Sequence, residues 1–423
     1  MKFDTVIIGG GLSGLACGIR LMQHGQRCAI VSSGQSALHF SSGSFDLLNN
    51  LPDGTPVSNV LAEYDSLAKL SPKHPYSKLG KETFQKLISE SETFFKNVGL
   101  PMQGNGMKNH YRITPLGLLK PTWLSTAHLA ISDFETSLNW KKVSIFNISG
   151  FLDFYPQFLA DEFSKLGTKS EIILFSMPAI DHLRRNPSEL RSTNISRILD
   201  KPEHKEELVK VLKKAASDSE AILFPACIGL DNRDIIGELQ KEINKPIYLI
   251  PTLPPSTIGI HLQQYLHEYF IHLGGTYMLG DTVKRAEVEG GKATRLYSFN
   301  HGDIPFIAKN FVLATGSYFS QGLIASAEKV YEPILGLDVD YLANRPDWYD
   351  KNIFETQHYQ SFGVKTTNTL NALKNGNALD NLYVSGAILE GFNPIKEGSG
   401  GGVSILTALY VADRIVNKEG GIK

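Results

Sequence analysis

The first 33 residues, MKFDTVIIGGGLSGLACGIRLMQHGQRCAIVSS, contain the pattern that decides the fold. Residues 3–8 form a short apolar run that ends at glycine, as a buried strand does. Apolar residues then recur at helical spacing over residues 12–22, and Gly25 stands where a helix C-cap is expected. A second apolar run covers residues 28–31. This order of strand, glycine turn, helix and strand predicts a βαβ unit and therefore a parallel sheet.

The turn after the first strand has the spacing of a GxGxxG motif. The first glycine of such a motif allows the tight turn, the second lets the backbone approach a pyrophosphate, and the third lets the helix pack close to the strand. The phosphate then meets unpaired amides at the helix N-terminus, where the macrodipole favours an anion. We therefore predict a cofactor site rather than a bare structural turn. Its residues are Gly9, Gly10, Gly11, Leu12, Ser13 and Gly14.

The second strand departs from the usual fingerprint of dinucleotide sites. Such a strand normally ends in Asp or Glu, about 20 residues after the turn, and that carboxylate binds the ribose hydroxyls. Here the strand runs into Ser32 and Ser33 without a carboxylate. A serine hydroxyl can bond a ribose, but more weakly than an ionised acceptor. The sequence thus leaves open a mononucleotide or an atypically held dinucleotide.

Two glycine-containing segments late in the chain complete a pattern with the first turn. The apolar run 312–316 ends in small residues, which is typical of a strand that passes close to a bound cofactor. The last predicted strand, 382–386, precedes the turn EGSGGG at 397–402, which opens a long apolar helix. Successive glycines there expose backbone amides to a ring that gains negative charge on reduction, as a flavin does. The cofactor-binding residues expected in these segments are Ala314, Thr315, Gly316, Gly386, Gly398, Gly400, Gly401 and Gly402.

These three signals, in this order along the chain, resemble the two-dinucleotide-binding-domain flavoproteins. In such proteins the loop after the second strand touches the isoalloxazine ring, and small residues allow that approach. The corresponding residues here are His39, Ser41, Ser42, Gly43 and Ser44. Some relatives attach flavin covalently near the position of His39, but a non-covalent or structural role is the favoured interpretation.

Composition excludes several classes of protein. The chain has 42 Lys plus Arg and 43 Asp plus Glu, without a block of like charge, which argues against a nucleic-acid surface. Its three cysteines are too few for an iron–sulfur cluster, a four-thiolate zinc site or a disulfide framework. We expect no metal site. No apolar run reaches the roughly 20 residues that span a bilayer, and no secretory signal precedes the first strand, so we expect a cytosolic, reduced protein.

The length of 423 residues favours two domains. We predict an α/β protein with a Rossmann-like FAD/NAD(P)-binding flavoprotein fold and an inserted α+β substrate or cap domain. A charged helix over 201–216 would be a solvated face of the inserted domain. The cofactor-binding domain would comprise residues 1–48, 246–325 and 375–423, and the substrate or cap domain residues 49–245 and 326–374.

Three longer segments resemble one family in particular. They are residues 1–48, HYRITPLGLLKPTWLS at 110–125 and EGFNPIKEGSGGG at 390–402. They resemble the B subunit of the bacterial anaerobic glycerol-3-phosphate dehydrogenases, and the likeness extends over essentially the full length. The HFSSGS loop and the HYRITPLG segment carry the specificity, because many families share the glycine motifs.

The resemblance implies a place in a respiratory complex. This chain would bind a flavin, FMN by resemblance with FAD as the alternative, and pair with a larger, flavin-bearing catalytic partner subunit. An iron–sulfur membrane-anchor subunit would hold both at the cytoplasmic face of the inner membrane and pass electrons to quinone. The reaction would be oxidation of glycerol 3-phosphate to dihydroxyacetone phosphate. A non-catalytic flavin-binding or structural role in support of the catalytic partner remains an alternative, and an independent NAD(P)-linked dehydrogenase is a third.

Oxidation of a secondary alcohol on flavin needs a base for the hydroxyl proton and a C–H held near the ring. A phosphorylated substrate also needs a cation, with Arg favoured for bidentate contact. His110 and His261 are the candidate bases. We expect Arg112 or Lys396 to meet the phosphate, and a surface role for Lys120.

Overall fold

The computed structural model describes residues 1–186, 188–215 and 218–420. The α-helices of this part of the chain are α1 (Leu12–Gln23), α2 (Tyr64–Leu70), α3 (Pro75–Leu79), α4 (Lys81–Asn97), α5 (Pro156–Lys165), α6 (Pro178–Asp181), α7 (Ser192–Leu199), α8 (Pro202–Ala215), α9 (Ile235–Ile243), α10 (Thr257–His272) and α11 (Gly400–Gly420). The strands are β1 (Lys2–Ile8), β2 (Cys28–Ser32), β3 (Ser44–Phe45), β4 (Met102–Gln103), β5 (His110–Ile113), β6 (Leu119–Thr122), β7 (Leu124–Thr126), β8 (Ile131–Ser132), β9 (Lys142–Ile148), β10 (Lys169–Phe175), β11 (Ala221–Pro225), β12 (Ile247–Ile250), β13 (Thr276–Leu279), β14 (Val283–Glu289), β15 (Lys292–Ser298), β16 (Phe306–Leu313), β17 (Ile324–Ala325), β18 (Val330–Tyr331), β19 (Val339–Asp340), β20 (Gly363–Val364), β21 (Asn371–Lys374) and β22 (Asn377–Val384).

The main sheet joins both ends of the chain. Its parallel core has the order β13-β2-β1-β16-β22, and β15, β14 and β21 extend it with antiparallel pairings. Ile8 pairs with Val31 on one side and with Leu313 on the other, and Leu313 pairs with Val384. The carboxyl ends of these four strands therefore lie level at one edge, where open parallel sheets bind their ligands.

Helices cover the main sheet and explain its apolar strands. The last residues of β1, from Val6 to Ile8, are almost fully buried, as expected for a parallel strand with both faces covered. Helices α1 and α11 pack together and are joined by an ion pair, in which Arg20 Nε lies 2.9 Å from an Asp413 carboxylate oxygen. Helix α10 packs against α1 as well. The βαβ unit predicted from residues 1–33 is thus present, with the C-terminal helix beside it.

The inserted segment has a sheet of its own, in the order β10-β9-β11-β12, and all its pairings are parallel. Strand β12 belongs to this sheet, because Ile222 pairs with Ile247 and Pro225 with Ile250. The boundary predicted after residue 245 would separate β12 from its partner β11. The pairing shows that β12, which lies after that boundary, belongs to the same sheet as β11, and the division of the chain into domains stays a prediction.

Of two small antiparallel sheets, one connects the inserted segment to the loop after β2, and the other lies within the inserted segment. Strand β3 pairs with β7, which pairs with β4, and β5 lies between β6 and β8. Helix α4 of the inserted segment also packs against α11. The charged helix predicted over 201–216 is α8, and its last predicted residue, Ala216, lies outside the described residues.

From the sequence we expected neither a disulfide framework nor a membrane-spanning segment. Cys17, Cys28 and Cys227 are free and buried. Burial raises the pKa of all three thiols. Of the helices in the described ranges, none has the length and apolar character needed to cross a membrane.

Candidate functional site

A cavity of about 630 Å³ opens at the carboxyl edge of the main sheet. Fourteen of the predicted cofactor-binding residues line it: Gly9, Gly10, Gly11, Leu12, Ser13, Ser32, Ser33, Ser41, Ser44, Ala314, Thr315, Gly316, Gly400 and Gly401. The other seven lie outside the lining: Gly14, His39, Ser42, Gly43, Gly386, Gly398 and Gly402. The structure thus brings the two chain ends and the end of β16 to one cavity, as the sequence pattern predicts.

The turn from Gly9 to Ser13 forms one wall of the cavity. Gly9 has φ 112°, a conformation that L side chains rarely adopt, and a Cβ there would overlap the Ala314 carbonyl. Gly11 is the N-cap of α1, and no side chain caps the helix. The first amides of α1 are therefore free for an anionic ligand, which is the fit expected for a cofactor phosphate.

Gly14 supports the turn from outside the cavity. A Cβ at this position would overlap the carbonyl oxygen of Gly9, so glycine is required for the close approach of α1 to the turn. Ser13 fixes the same helix to the C-terminal half of the chain, because its Oγ lies 2.6 Å from the Ser385 Oγ. Gly386 follows that serine, and its amide donates to Thr407 of α11 at 3.0 Å.

The C-terminal glycine turn forms a second wall. Gly400 and Gly401 line the cavity together with Ser404, all in the first turns of α11. A Cβ on Gly398 would instead overlap the Asn49 side chain, and a Cβ on Gly402 would overlap the Tyr76 hydroxyl. These two glycines therefore allow the close packing that holds the turn, whereas their neighbours face the cavity.

The end of β16 supplies a polar group without a partner. The Ala314 amide donates to the Ile8 carbonyl at 2.8 Å, which fixes this end against β1. The Thr315 hydroxyl is buried and has no hydrogen-bond partner among the described residues. A buried hydroxyl at a cavity wall without a partner is the group that a polar ligand would satisfy.

The cavity lining also contains a carboxylate that the sequence did not predict. Residues 281–284, the last two of which begin β14, line the cavity together with Ser32. The Asp281 amide donates to the Ser32 carbonyl at 3.1 Å, and its carboxylate lies 2.8 Å from the His301 Nδ1. Burial would raise the pKa of Asp281, but hydrogen bonds from Ser298, Asn300 and His301 outweigh it and lower this pKa. No local signal could have found Asp281, because 248 residues separate it from Ser33 in sequence.

The loop after β2 places two of its three predicted serines in the cavity wall. Ser41 and Ser44 line it, whereas the Ser42 Oγ lies 2.9 Å from the Ser44 Oγ. Gly43 packs against Ile258 of α10. His39 is outside the lining, and burial lowers its pKa.

None of the four predicted catalytic residues lines the cavity. Arg112 comes closest by contact, because its guanidinium donates to the Ser42 hydroxyl, which in turn contacts the cavity-lining Ser44. The Arg112 Nε is buried without a partner among the described residues. Lys120, its cross-strand neighbour, is paired with Asp46 at 3.1 Å.

His110 lies on the same strand, β5. Its Nε2 is 2.8 Å from the Ser125 Oγ, and its Nδ1 is buried without a partner among the described residues. Burial lowers the pKa of His110 to about 4, so the ring is neutral at pH 7. Ser125 pairs with Ser44 across β3 and β7, which links His110 to the same side of the cavity as Arg112.

The two remaining candidates are held by other groups. The His261 Nδ1 lies 2.7 Å from the Gly229 carbonyl oxygen, and burial lowers the pKa of this ring. The Lys396 Nζ donates to the Thr356 hydroxyl at 3.2 Å. Among the described residues, neither His261 nor Lys396 shares a hydrogen-bond partner with Arg112.

Comparison with known proteins shows which family this chain resembles. Residues 4–403 match the FAD binding domain family. The chain is 51% identical to an anaerobic glycerol-3-phosphate dehydrogenase B subunit of Yersinia enterocolitica, with 99% of each chain covered. It is 44% identical to the protein of that name in Pectobacterium atrosepticum, with 99% of this chain and 100% of the relative covered. A 3-ketosteroid delta1-dehydrogenase structure from Sterolibacterium denitrificans is similar at a TM-score of 0.43 and 9% identity, covering 99% of this chain and 100% of that one.

These matches test the expected identity of the flavin and the expectation of partner subunits. The family match supports a flavin, specifically FAD, and the expectation of FMN finds no support. The name of the relatives designates one subunit of several and so implies a multi-subunit complex. The chain belongs to the FAD binding domain family of flavoprotein oxidoreductases and, within it, to the B subunits of the anaerobic glycerol-3-phosphate dehydrogenases.

Proposed function

We propose that this chain is the FAD-binding subunit of a quinone-linked anaerobic glycerol-3-phosphate dehydrogenase and that it oxidises sn-glycerol 3-phosphate to dihydroxyacetone phosphate. The observation that carries the proposal is the cavity, which both chain ends line and which Arg112 approaches through Ser42 and Ser44. The name shared by the curated relatives supports the substrate. Bound FAD would accept a hydride from the alcohol carbon.

The residues that hold FAD follow from the walls of the cavity. The free amides of α1 beside Gly11 would bind the pyrophosphate. Gly400 and Gly401 would contact the flavin ring, where their amides favour the charge that develops on reduction. Ser32 and residues 281–284 would receive the adenosine half, so the cavity has walls for both halves of FAD.

Arg112 is the proposed phosphate ligand. Within the described residues, one nitrogen of its guanidinium has no partner, and another donates to Ser42, which leads to the cavity through Ser44. Lys396, the alternative at the sequence level, contacts Thr356 and is absent from the cavity lining. A guanidinium suits a phosphate dianion because it can donate two parallel hydrogen bonds.

His110 is the proposed base for the alcohol proton. A base must be unprotonated before the reaction, and the low pKa of His110 ensures this at pH 7. The same low pKa weakens the ring as a proton acceptor. The charge of a substrate phosphate bound at Arg112, on the same strand, would favour the imidazolium and offset part of that weakness.

The complex would contain the larger, flavin-bearing catalytic partner subunit. It would also contain an iron–sulfur subunit that anchors the assembly to the cytoplasmic face of the inner membrane. The sequence agrees with an iron–sulfur cluster in another chain, because three cysteines are fewer than the four thiolates of a typical cluster. One-electron transfer toward quinone would then run through another chain. Flavin suits this task because it accepts two electrons and can release them singly.

A second candidate function is a non-catalytic flavin-binding role in support of the catalytic partner subunit. One observation favours it: the four candidate catalytic side chains all lie outside the cavity lining. In that case the flavin would only relay electrons or stabilise the complex.

The visible spectrum of the purified chain tests both candidates. The proposal predicts flavin bands and release of FAD on denaturation. Anaerobic addition of glycerol 3-phosphate should then bleach the spectrum of the isolated chain. A flavin spectrum that stays unchanged, but bleaches after the catalytic partner is added, would favour the second candidate. Absence of flavin from the purified chain and from the complex would contradict both.

A further inference from the structure

A buried carboxylate stands directly before the C-terminal glycine turn. Glu397 is only 3% exposed and accepts three hydrogen bonds. The donors are the Asn393 amide at 2.9 Å, the Ser399 hydroxyl at 3.3 Å and the His74 Nε2 at 3.1 Å. Because every contact places a donor on the carboxylate, the site is built for a negatively charged acceptor.

His74 does not cancel this charge. The ring is fully buried, and its Nδ1 accepts a hydrogen bond from the Tyr76 amide at 3.0 Å. A ring nitrogen that accepts carries no proton, so the proton is on Nε2 and the imidazole is neutral. Among the ion pairs found in the described ranges, His74 is the one partner of Glu397. The pair therefore places a net negative charge beside the turn.

The same pair belongs to a set of contacts that fixes the turn. The Glu397 carbonyl accepts from the amides of Asn49 and Asn50 at 2.7 and 3.0 Å. The Tyr76 hydroxyl donates to the Leu47 carbonyl at 2.8 Å and lies 3.4 Å from the Ser399 carbonyl oxygen. The inserted segment thus holds the residues immediately before Gly400 from two sides.

We propose that His74 and Glu397 are positioning residues for the flavin, and that the charge of Glu397 lowers the reduction potential of the ring. This inference rests on the proposed FAD site, in which Gly400 and Gly401 contact the ring. The reduced ring carries more negative charge than the oxidised ring, and a buried charge nearby is poorly screened. The amides of α11 act in the opposite direction, so Glu397 limits how far they raise the potential.

The substitution Glu397→Gln removes the charge and keeps the size of the side chain. We expect the midpoint potential of bound FAD to rise by about 30 mV or more, which corresponds to a tenfold change in a two-electron equilibrium. The measurement uses stepwise chemical reduction of the purified holoprotein against a reference dye. It requires no glycerol 3-phosphate, so it is independent of whether this chain oxidises that substrate.

Glu390→Gln is the matched control. Glu390 is also buried, but its carboxylate pairs with the Lys78 Nζ at 2.7 Å and accepts from the Thr366 amide at 3.2 Å instead of bonding to residues of the glycine turn. We expect the midpoint potential of FAD bound to Glu390→Gln to equal that of FAD bound to the unsubstituted protein. An unchanged potential in Glu397→Gln, or an equal shift in both variants, would overturn the charge effect.

His74→Gln separates position from charge and covers the case in which Glu397→Gln does not fold. Glutamine can still donate to Glu397, but it leaves the Tyr76 amide without its acceptor. We expect FAD to bind at least tenfold more weakly while the potential changes little. Unchanged FAD affinity would overturn the positioning role. If the unsubstituted chain binds no flavin, the proposed function fails before this inference is reached.

Discussion

At the scale of single residues, strand β5 carries two polar atoms that have no partner among the described residues and that lie behind the cavity-lining Ser44. In the part of the chain that the structure describes, Arg112 and His110 each have a buried nitrogen without a partner, and both connect through serines to Ser44 at the cavity wall. Buried polar groups are normally paired, so these two nitrogens are groups that a bound polar ligand would satisfy. Both residues were expected from the HYRITPLG segment, whereas their links to Ser42 and Ser125 come from strand pairing between distant segments.

Replacement of Arg112 tests the phosphate site. We expect Arg112→Ala to weaken glycerol 3-phosphate binding about 10- to 100-fold, because a hydrogen bond to a charged group contributes about 1.5–3 kcal/mol. FAD content should stay unchanged. Equilibrium binding of glycerol 3-phosphate to the holoprotein measures this directly. Lys120→Ala is the control, since Lys120 is already paired with Asp46, and an equal loss in both variants would exclude a specific role for Arg112.

The low pKa of His110 makes stability depend on pH. Its pKa is about 4 in the folded chain against 6.5 for an unperturbed ring, so the unfolded state binds more protons between these values. Stability contributed by the neutral ring is therefore complete above pH 6.5 and is lost as the pH falls toward 4. For this group the loss between pH 7.5 and pH 5 is about 2 kcal/mol.

Urea unfolding of the unsubstituted protein and of His110→Asn at both pH values measures this contribution. We expect the variant to lose about 2 kcal/mol less than the unsubstituted protein on acidification, because all other titrating groups are shared. Identical acid destabilisation in the two proteins would show that His110 is not held neutral by burial.

At the scale of elements, the N-terminal βαβ unit was predictable because its contacts are local. The strand, the glycine turn, the helix and Gly25 all follow from spacing within the first 33 residues. The placement of β12 was not predictable, because its partner β11 is set by the inserted sheet rather than by its own sequence. Asp281 and the His74–Glu397 pair were not predicted for the same reason, because their contacts join segments that are far apart in the chain.

The third glycine of the first turn tests the packing of α1. A methyl group at Gly14 would overlap the Gly9 carbonyl, so we expect Gly14→Ala to destabilise the protein by roughly 1–3 kcal/mol and to reduce FAD content severalfold. Thermal unfolding and the flavin-to-protein absorbance ratio measure both effects.

Gly237→Ala is the control for this substitution. Gly237 lies within α9, and a Cβ there meets open space. The variant should be more stable by about 0.5–1 kcal/mol and should bind FAD normally, because alanine favours the helix. Full FAD content in Gly14→Ala would contradict the account of the turn.

At the scale of the whole molecule, the central claim is that both ends of the chain meet on one FAD. The fold class and the meeting of the glycine segments were predictable, because three signals in a fixed order are specific to this type of flavoprotein. The candidate catalytic residues were less predictable, since twelve histidines offered many candidates and only three-dimensional contacts distinguish His110 from His261. The inserted segment contacts this site through hydrogen bonds that hold Glu397, immediately before the glycine turn.

Amide hydrogen exchange of the chain with and without FAD tests the central claim most directly. FAD should protect two separate peptides together, one containing Gly9–Ser13 and one containing Gly400–Ser404, while a peptide from α8 (Pro202–Ala215) exchanges equally in both states. Protection of the N-terminal peptide alone, with the C-terminal turn unaffected by FAD, would contradict the account.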